Sequence, residues 1–304
     1  MHPQQTRIFF ALSASLLLVC LFLAASTDES PISSPEAFLG PLPTDSVQRL
    51  TLTSSEGTLE AHHRDDDWFL TRPVPGAGDG GVLDDLVNAI SRWQVTANLS
   101  TASLADHGLE TPSYTISLQR IDGTAPTLHV GAVAPGGAHT YARVDEGAVI
   151  VLEGDVTALL GRPFELYRRR TLFAGAESGV LRIDWQMDTV SWSASRNEDG
   201  HWSLTPSGTP ARTGSVEGFL AALKATNLES FQDGVDPASS GLAPPRGRIV
   251  LSSAEGEWEL LIGAEKLGGT LVQTSDGLVG TIGDLGSLVP NPESLERPSA
   301  STED

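Results

Sequence analysis

Four stretches carry residue types that could do chemistry. His62-His63-Arg64-Asp65-Asp66-Asp67 gathers imidazoles and carboxylates, the usual ligands of transition metals. Neighbouring residues on a strand point to opposite faces, so His62 and His63 cannot easily close on one ion. The stretch reads as a solvated hairpin turn. Gly76-Ala77-Gly78-Asp79-Gly80-Gly81 spells Gly-x-Gly-x-x-Gly between a strand and a helix. Pro73 and Pro75 do not suit a buried parallel strand, and no acid stands about twenty residues on to hold a ribose. A loop entering a helix cap is expected there. Arg168-Arg169-Arg170 stands out in a chain with 39 acidic and 19 basic residues. These arginines either pair with carboxylates of two flanking units or dock an acidic partner. His107, His129 and His139 are isolated, and no Gly-x-Ser-x-Gly nucleophile elbow appears. No catalytic residue, metal site or cofactor is expected.

Composition narrows the setting. The formal charge of −20 disfavours nucleic acid and anionic lipid, both of which require Lys/Arg patches. Arg7 precedes an uncharged run over residues 8–25, and Asp28 and Glu29 follow it. That polarity places the N-terminus in the cytoplasm and the bulk of the chain outside. The run is near the minimum for a spanning helix and long for a signal-peptide core, so a retained anchor and a cleaved signal both remain open. The expected site is a bacterial inner membrane, crossed once, or the periplasm after cleavage. Cys20, the one cysteine, lies inside this run. The exported part therefore has no disulfide and no thiolate, and its stability must come from apolar burial.

The elements that would position any site come in two sets. Trp68-Phe69-Leu70-Thr71-Arg72-Pro73 returns as Trp202-Ser203-Leu204-Thr205-Pro206, Gly108-Leu109-Glu110-Thr111-Pro112 as Gly241-Leu242-Ala243-Pro244, and Val130-Gly131 as Ile262-Gly263. The offsets are 134, 133 and 132 residues. Each set opens with three short strands of alternating polarity, a meander. A helical stripe follows, Val82, Leu83, Leu86, Val87 and Ile90 in the first and Val216, Phe219, Leu220 and Leu223 in the second, with Asp79 and Thr213 as caps. A helical turn closed by Gly108 and two hairpins complete the plan. The expected class is α+β: two tandem homologous units, each an antiparallel β-sheet with one main helix packed on a face, behind an N-terminal transmembrane helix. The expected divisions are an anchor or signal at 1–26, a Pro/Ser-rich linker at 27–46, repeats at 47–163 and 179–290, a connecting segment at 164–178, and a disordered tail at 291–304.

The order of these phrases resembles the domain-of-unknown-function family numbered 4340. The resemblance rests on Trp68 to Pro73 and the helix after it, Gly108 to Pro112, Val130-Gly131, Thr140-Tyr141-Ala142-Arg143, and Leu166 to Leu172. It covers roughly residues 47 to 290. His107 stands where an aromatic is usual, and the second unit has Leu271-Val272-Gln273 in place of Tyr-Ala-Arg. The resemblance implies a membrane-anchored envelope protein, in some members encoded beside ABC-transporter components of the gliding-motility type. It brings no catalytic residues. The expected function is a non-catalytic extracytoplasmic module that binds or scaffolds protein partners, with Arg168, Arg169 and Arg170 as a candidate docking site. The alternatives are an envelope hydrolase using carboxylates with His62, His63 or His107, and glycan or peptide binding at exposed aromatics such as Trp185 or Trp192. Either site would lie in the cleft between the repeats.

Overall fold

The computed structural model describes residues 43–64, 67–176, 179–266, 268–283 and 292–296. The expected anchor, most of the linker, Asp65 and Asp66, and most of the tail lie outside them. No described helix is long and apolar enough to cross a membrane. The chain divides into two compact units at Pro163, except that residues 68–70 and 74–80 group with the second. Both units are mostly β.

The first sheet has nine antiparallel strands. Three of them, β1 (Val47–Ser54), β2 (Gly57–Arg64) and β3 (Asp67–Arg72), form the expected meander, extended by the short β4 (Gly76–Ala77). The helix α1 (Gly80–Arg92) leads to β5 (Val95–Leu99). Two hairpins follow: β6 (Tyr114–Arg120) with β7 (Thr127–Val133), and β8 (His139–Val144) with β9 (Val149–Glu153). The strand order is β4-β3-β2-β1-β6-β7-β8-β9-β5. Alternation sets the faces. Leu50, Leu52, Leu59 and Ala61 are buried, whereas Gln48, Arg49 and Thr53 are exposed. On α1 the buried residues are Leu83, Leu86, Val87 and Ile90, the stripe spaced three and four apart that one helix face presents. A four-residue helix, α2 (Thr157–Leu160), ends the unit.

The second sheet contains β10 (Val180–Met187), β11 (Val190–Arg196) and β12 (Trp202–Thr205), then β13 (Ser230–Phe231), β14 (Gly247–Ser253), β15 (Glu257–Lys266), β16 (Gly269–Thr274) and β17 (Val279–Ile282). Its order, β12-β11-β10-β14-β15-β16-β17-β13, follows the first sheet strand for strand, without a counterpart of β4. The helix α3 (Thr213–Ala225) buries Val216, Phe219, Leu220 and Leu223 in one cluster with Ile183, Trp185, Trp192, Trp202 and Leu204 of the sheet. Thr213 is the first helical residue rather than the cap. Arg212 holds the cap position without a side-chain bond, because a guanidinium has no acceptor for the first helical N–H groups; its backbone N–H donates to the Leu295 carbonyl at 2.7 Å. Within the described residues, Pro292–Leu295 forms a short helix, α4, whose Leu295 enters the core at 2% exposure.

The recurring phrases have physical causes. Gly108 (φ 68°) and Gly241 (φ 70°) take the left-handed conformation that closes a helical turn. The loop each one begins folds onto a second glycine. A Cβ at Gly131 would strike the His107 carbonyl oxygen and come within 3.0 Å of the Leu109 side chain. At Gly263 the same atom would lie 2.6 Å from the Ser240 carbonyl oxygen and 3.2 Å from Leu242. Both glycines sit at bulges, between Val130 and Val133 and between Ile262 and Glu265. The tryptophans sit on the buried side of their strands: Trp68 and Trp202 are each 2% exposed. The place of a Cβ on Gly80, at the start of α1, is 4.0 Å from the Trp68 ring. The Trp202 indole N–H donates to Glu217 of α3 at 3.0 Å.

Two predictions follow from this packing. Gly131→Ala and Gly263→Ala should each cost about 1–3 kcal/mol, because a backbone carbonyl cannot move aside as a flexible side chain can. Thermal melting measures this, and two wild-type melting curves would sink the account. Trp202→Phe and Trp192→Phe remove the same volume, but only Trp202 loses a hydrogen bond, since the Trp192 indole N–H has no acceptor among the described residues. Trp202→Phe should therefore be the more destabilising by about 1 kcal/mol.

Candidate functional site

The three arginines are held by their own unit. Arg168, 6% exposed, makes a two-pronged ion pair with Asp233 at 2.7 and 2.8 Å, and its guanidinium lies 3.8 Å from the centre of the Phe231 ring. Arg169 is bonded to Asp276. Arg170 donates to the carbonyls of Leu228 and Glu229 at 3.2 and 3.0 Å and lies 5.3 Å from the Phe231 ring centre. The backbone joins in, with Leu228 N–H donating to Arg170 O at 2.8 Å and a bridge between Thr171 and Asn227. The segment is thus a strap along the chain that enters β13. Its carboxylate partners belong to the second unit, not to both as the sequence suggested.

A cavity of about 350 Å³ opens on the second sheet. Alternation builds it. Ile183, Trp185 and Met187 of β10 turn to the core, so Asp184 and Gln186 turn to the opposite face. Register then lays two rows across four strands. Thr205, Ser193, Asp184 and Val250 are successive cross-strand partners, and so are Ser191, Gln186 and Arg248. Ser193 is buried and Val250 nearly so, at 6% and 8% exposure, while Gln186 and Arg248 stay open to solvent. The charges are matched within the face. Arg182 donates Nε and Nη2 to the two Asp184 oxygens at 2.6 Å each, and this bond, followed by the Coulombic attraction, raises the guanidinium's hold on its proton. Arg248 is bonded to Glu259. Pro206 completes the lining.

The other candidates are placed apart. His62 Nε2 lies 3.0 Å from Glu60, which also faces Arg49 and Arg72 at 3.8 and 3.5 Å. His107 bonds the Ser103 carbonyl at 2.7 Å through Nδ1 and meets the Tyr141 ring edge-on at 4.3 Å, so an imidazole fills the family's aromatic position. His129 approaches Thr115 at 3.5 Å, and His139 opens β8. Among the described residues, no three His, Cys, Asp or Glu side chains are placed to hold a metal ion. The Gly76–Gly81 stretch is not a βαβ turn: Gly76 and Ala77 pair antiparallel with β3, and Gly80 and Gly81 already belong to α1. Trp185 and Trp192, expected as exposed platforms, are 4% and 6% exposed and stack on each other at 6.0 Å. The face of a β-strand decides this, and Ile183-x-Trp185-x-Met187 was the signal for it.

The strap makes a prediction. Arg168→Ala leaves Asp233 and the Phe231 ring without their partner and should cost about 1–3 kcal/mol, and Arg168→Lys should recover only part of it, because an ammonium lacks the guanidinium fork. Arg182→Ala breaks a pair whose side chains are 50% and 39% exposed, so its cost should stay below about 1 kcal/mol. Equal melting shifts at the two positions would contradict the assignment.

Comparison with known proteins yields one match. No curated protein and no solved structure matches the chain. The sequence model of the family described as a domain of unknown function, DUF4340, matches residues 68–245. The match opens at Trp68 of β3 and ends just after Gly241-Leu242-Ala243-Pro244, so both the tryptophan phrase and the glycine–leucine loop lie inside it. It spans more than half of the 304 residues, and the chain belongs to the DUF4340 family.

Proposed function

We propose that this protein is a non-catalytic extracytoplasmic module that binds partners at the cell envelope, its two units being copies of one module. The observation that carries the reading is the open polar face of the second sheet. Its charged groups are tied to each other, Asp184 to Arg182 and Arg248 to Glu259, on rigid strands. Groups fixed in such pairs offer standing hydrogen bonds, as a binding surface does. A general acid or base instead needs a site where its proton can leave and return near the working pH. The shared strand order of the two sheets supports the duplication.

The run over residues 8–25 is assigned as a retained anchor, and ABC-transporter components are the partner class that the resemblance favours. Two experiments test this. The full-length protein should stay with membranes through a high-salt and then an alkaline wash, whereas release of a chain shortened by about 26 residues would favour a cleaved signal. Pull-down of the tagged protein from solubilised membranes should recover transporter subunits. Hydrolysis of envelope substrates by the purified protein, lost on changing His62 or His107, would replace the reading with an enzymatic one.

A further inference from the structure

We infer that the face of β10, β11, β12 and β14 is a binding site for neutral saccharides. The inference rests on the binding-module reading and names a ligand for it. Three properties of the face select the ligand. The first is charge. Asp184 is neutralised by Arg182 and Arg248 by Glu259, so no net charge is left to attract an ion. The second is hydrogen-bonding capacity. The hydroxyls of Ser191 and Thr205 and the amide of Gln186 each donate and accept. The paired Asp184 carboxylate keeps spare lone pairs, and the Arg248 guanidinium keeps spare N–H groups. Sugar hydroxyls, which also donate and accept, match such a mixed array; a simple anion or cation matches only half of it. The third is size and wall. A volume of about 350 Å³ is near the lower end for small-ligand sites, and the exposed Pro206 supplies apolar surface for the C–H face of a pyranose.

The rows also set the spacing. Neighbouring strands stand roughly 4.8 Å apart, and alternate residues along one strand lie about 6.8 Å apart on the same face. Thr205 and Asp184, two strands apart in one row, are thus roughly 9.6 Å apart, a gap that one sugar ring bridges with a hydrogen bond at each end. Gln186 serves the next ring.

The test uses the full-length protein in a detergent without a sugar headgroup. Saturation-transfer NMR is run with neutral gluco-, galacto-, manno- and N-acetylglucosamine trisaccharides, and with uronate trisaccharides as the charged comparison. At least one neutral trisaccharide should show transfer, and the uronates should bind at least tenfold more weakly. Gln186→Ala and Thr205→Val change solvent-exposed side chains and should each weaken binding about tenfold without moving the melting temperature. No transfer from any neutral trisaccharide overturns the inference, and so does equal binding by the variants or a preference for uronates. Pull-down with the same variants keeps the two readings apart. Protein partners retained by a variant that has lost sugar binding leave the scaffold reading standing; partners lost from the wild-type preparation as well count against that reading alone.

Discussion

At Gly131 and Gly263 a loop backbone lies so close to a strand backbone that no side chain fits between them. The rest of each sheet depends on this approach. It seats Leu109 and Leu242, 1% and 3% exposed, on the strand face beneath them. At the second site the Ala264 N–H donates to the Ser240 carbonyl at 2.9 Å, so the bulge that interrupts the strand ladder still satisfies its backbone. The bulge also bends β7 and β15 where they pass to β8 and β16. A larger residue would have to displace the loop, the leucine and the bulge together.

Much of the architecture was legible because it is local. Alternating polarity with Asp122-Gly123, Glu146-Gly147, Glu255-Gly256 and Asp276-Gly277 marked the hairpins, and a period near 3.6 marked the helices. Three strands escaped. β4 and β13 have two residues each, too few for a period. β5 is stabilised by β9, with Val95 opposite Leu152, a partner that no local pattern announces. The cap of α3 lies one residue earlier than expected, at Arg212, whose backbone N–H bonds the carbonyl of Leu295, a partner far along the chain.

The candidate site was less legible. Asp184, Gln186, Ser193 and Thr205 look like ordinary outward residues of amphipathic strands, and only the cross-strand register gathers them. The arginine run was conspicuous, but Asp233 and Phe231 lie more than sixty residues downstream. Composition reported a surplus of acid; it could not report which acids have a cation beside them. Long-range partners decide what a charge is tied to, and Arg168 is tied to Asp233.

The strap has one more effect. Open sheet edges invite other chains to add strands, and in a crowded compartment that leads to fibres. In the second sheet both edges are partly covered. Beside β12, Thr209 and Ala211 exchange backbone bonds with Leu204 and Trp202 at 3.0 and 2.8 Å. At the other edge Arg170 and Thr171 bond the chain running into β13. The second unit can therefore present a polar face while leaving less bare edge backbone for another copy to extend.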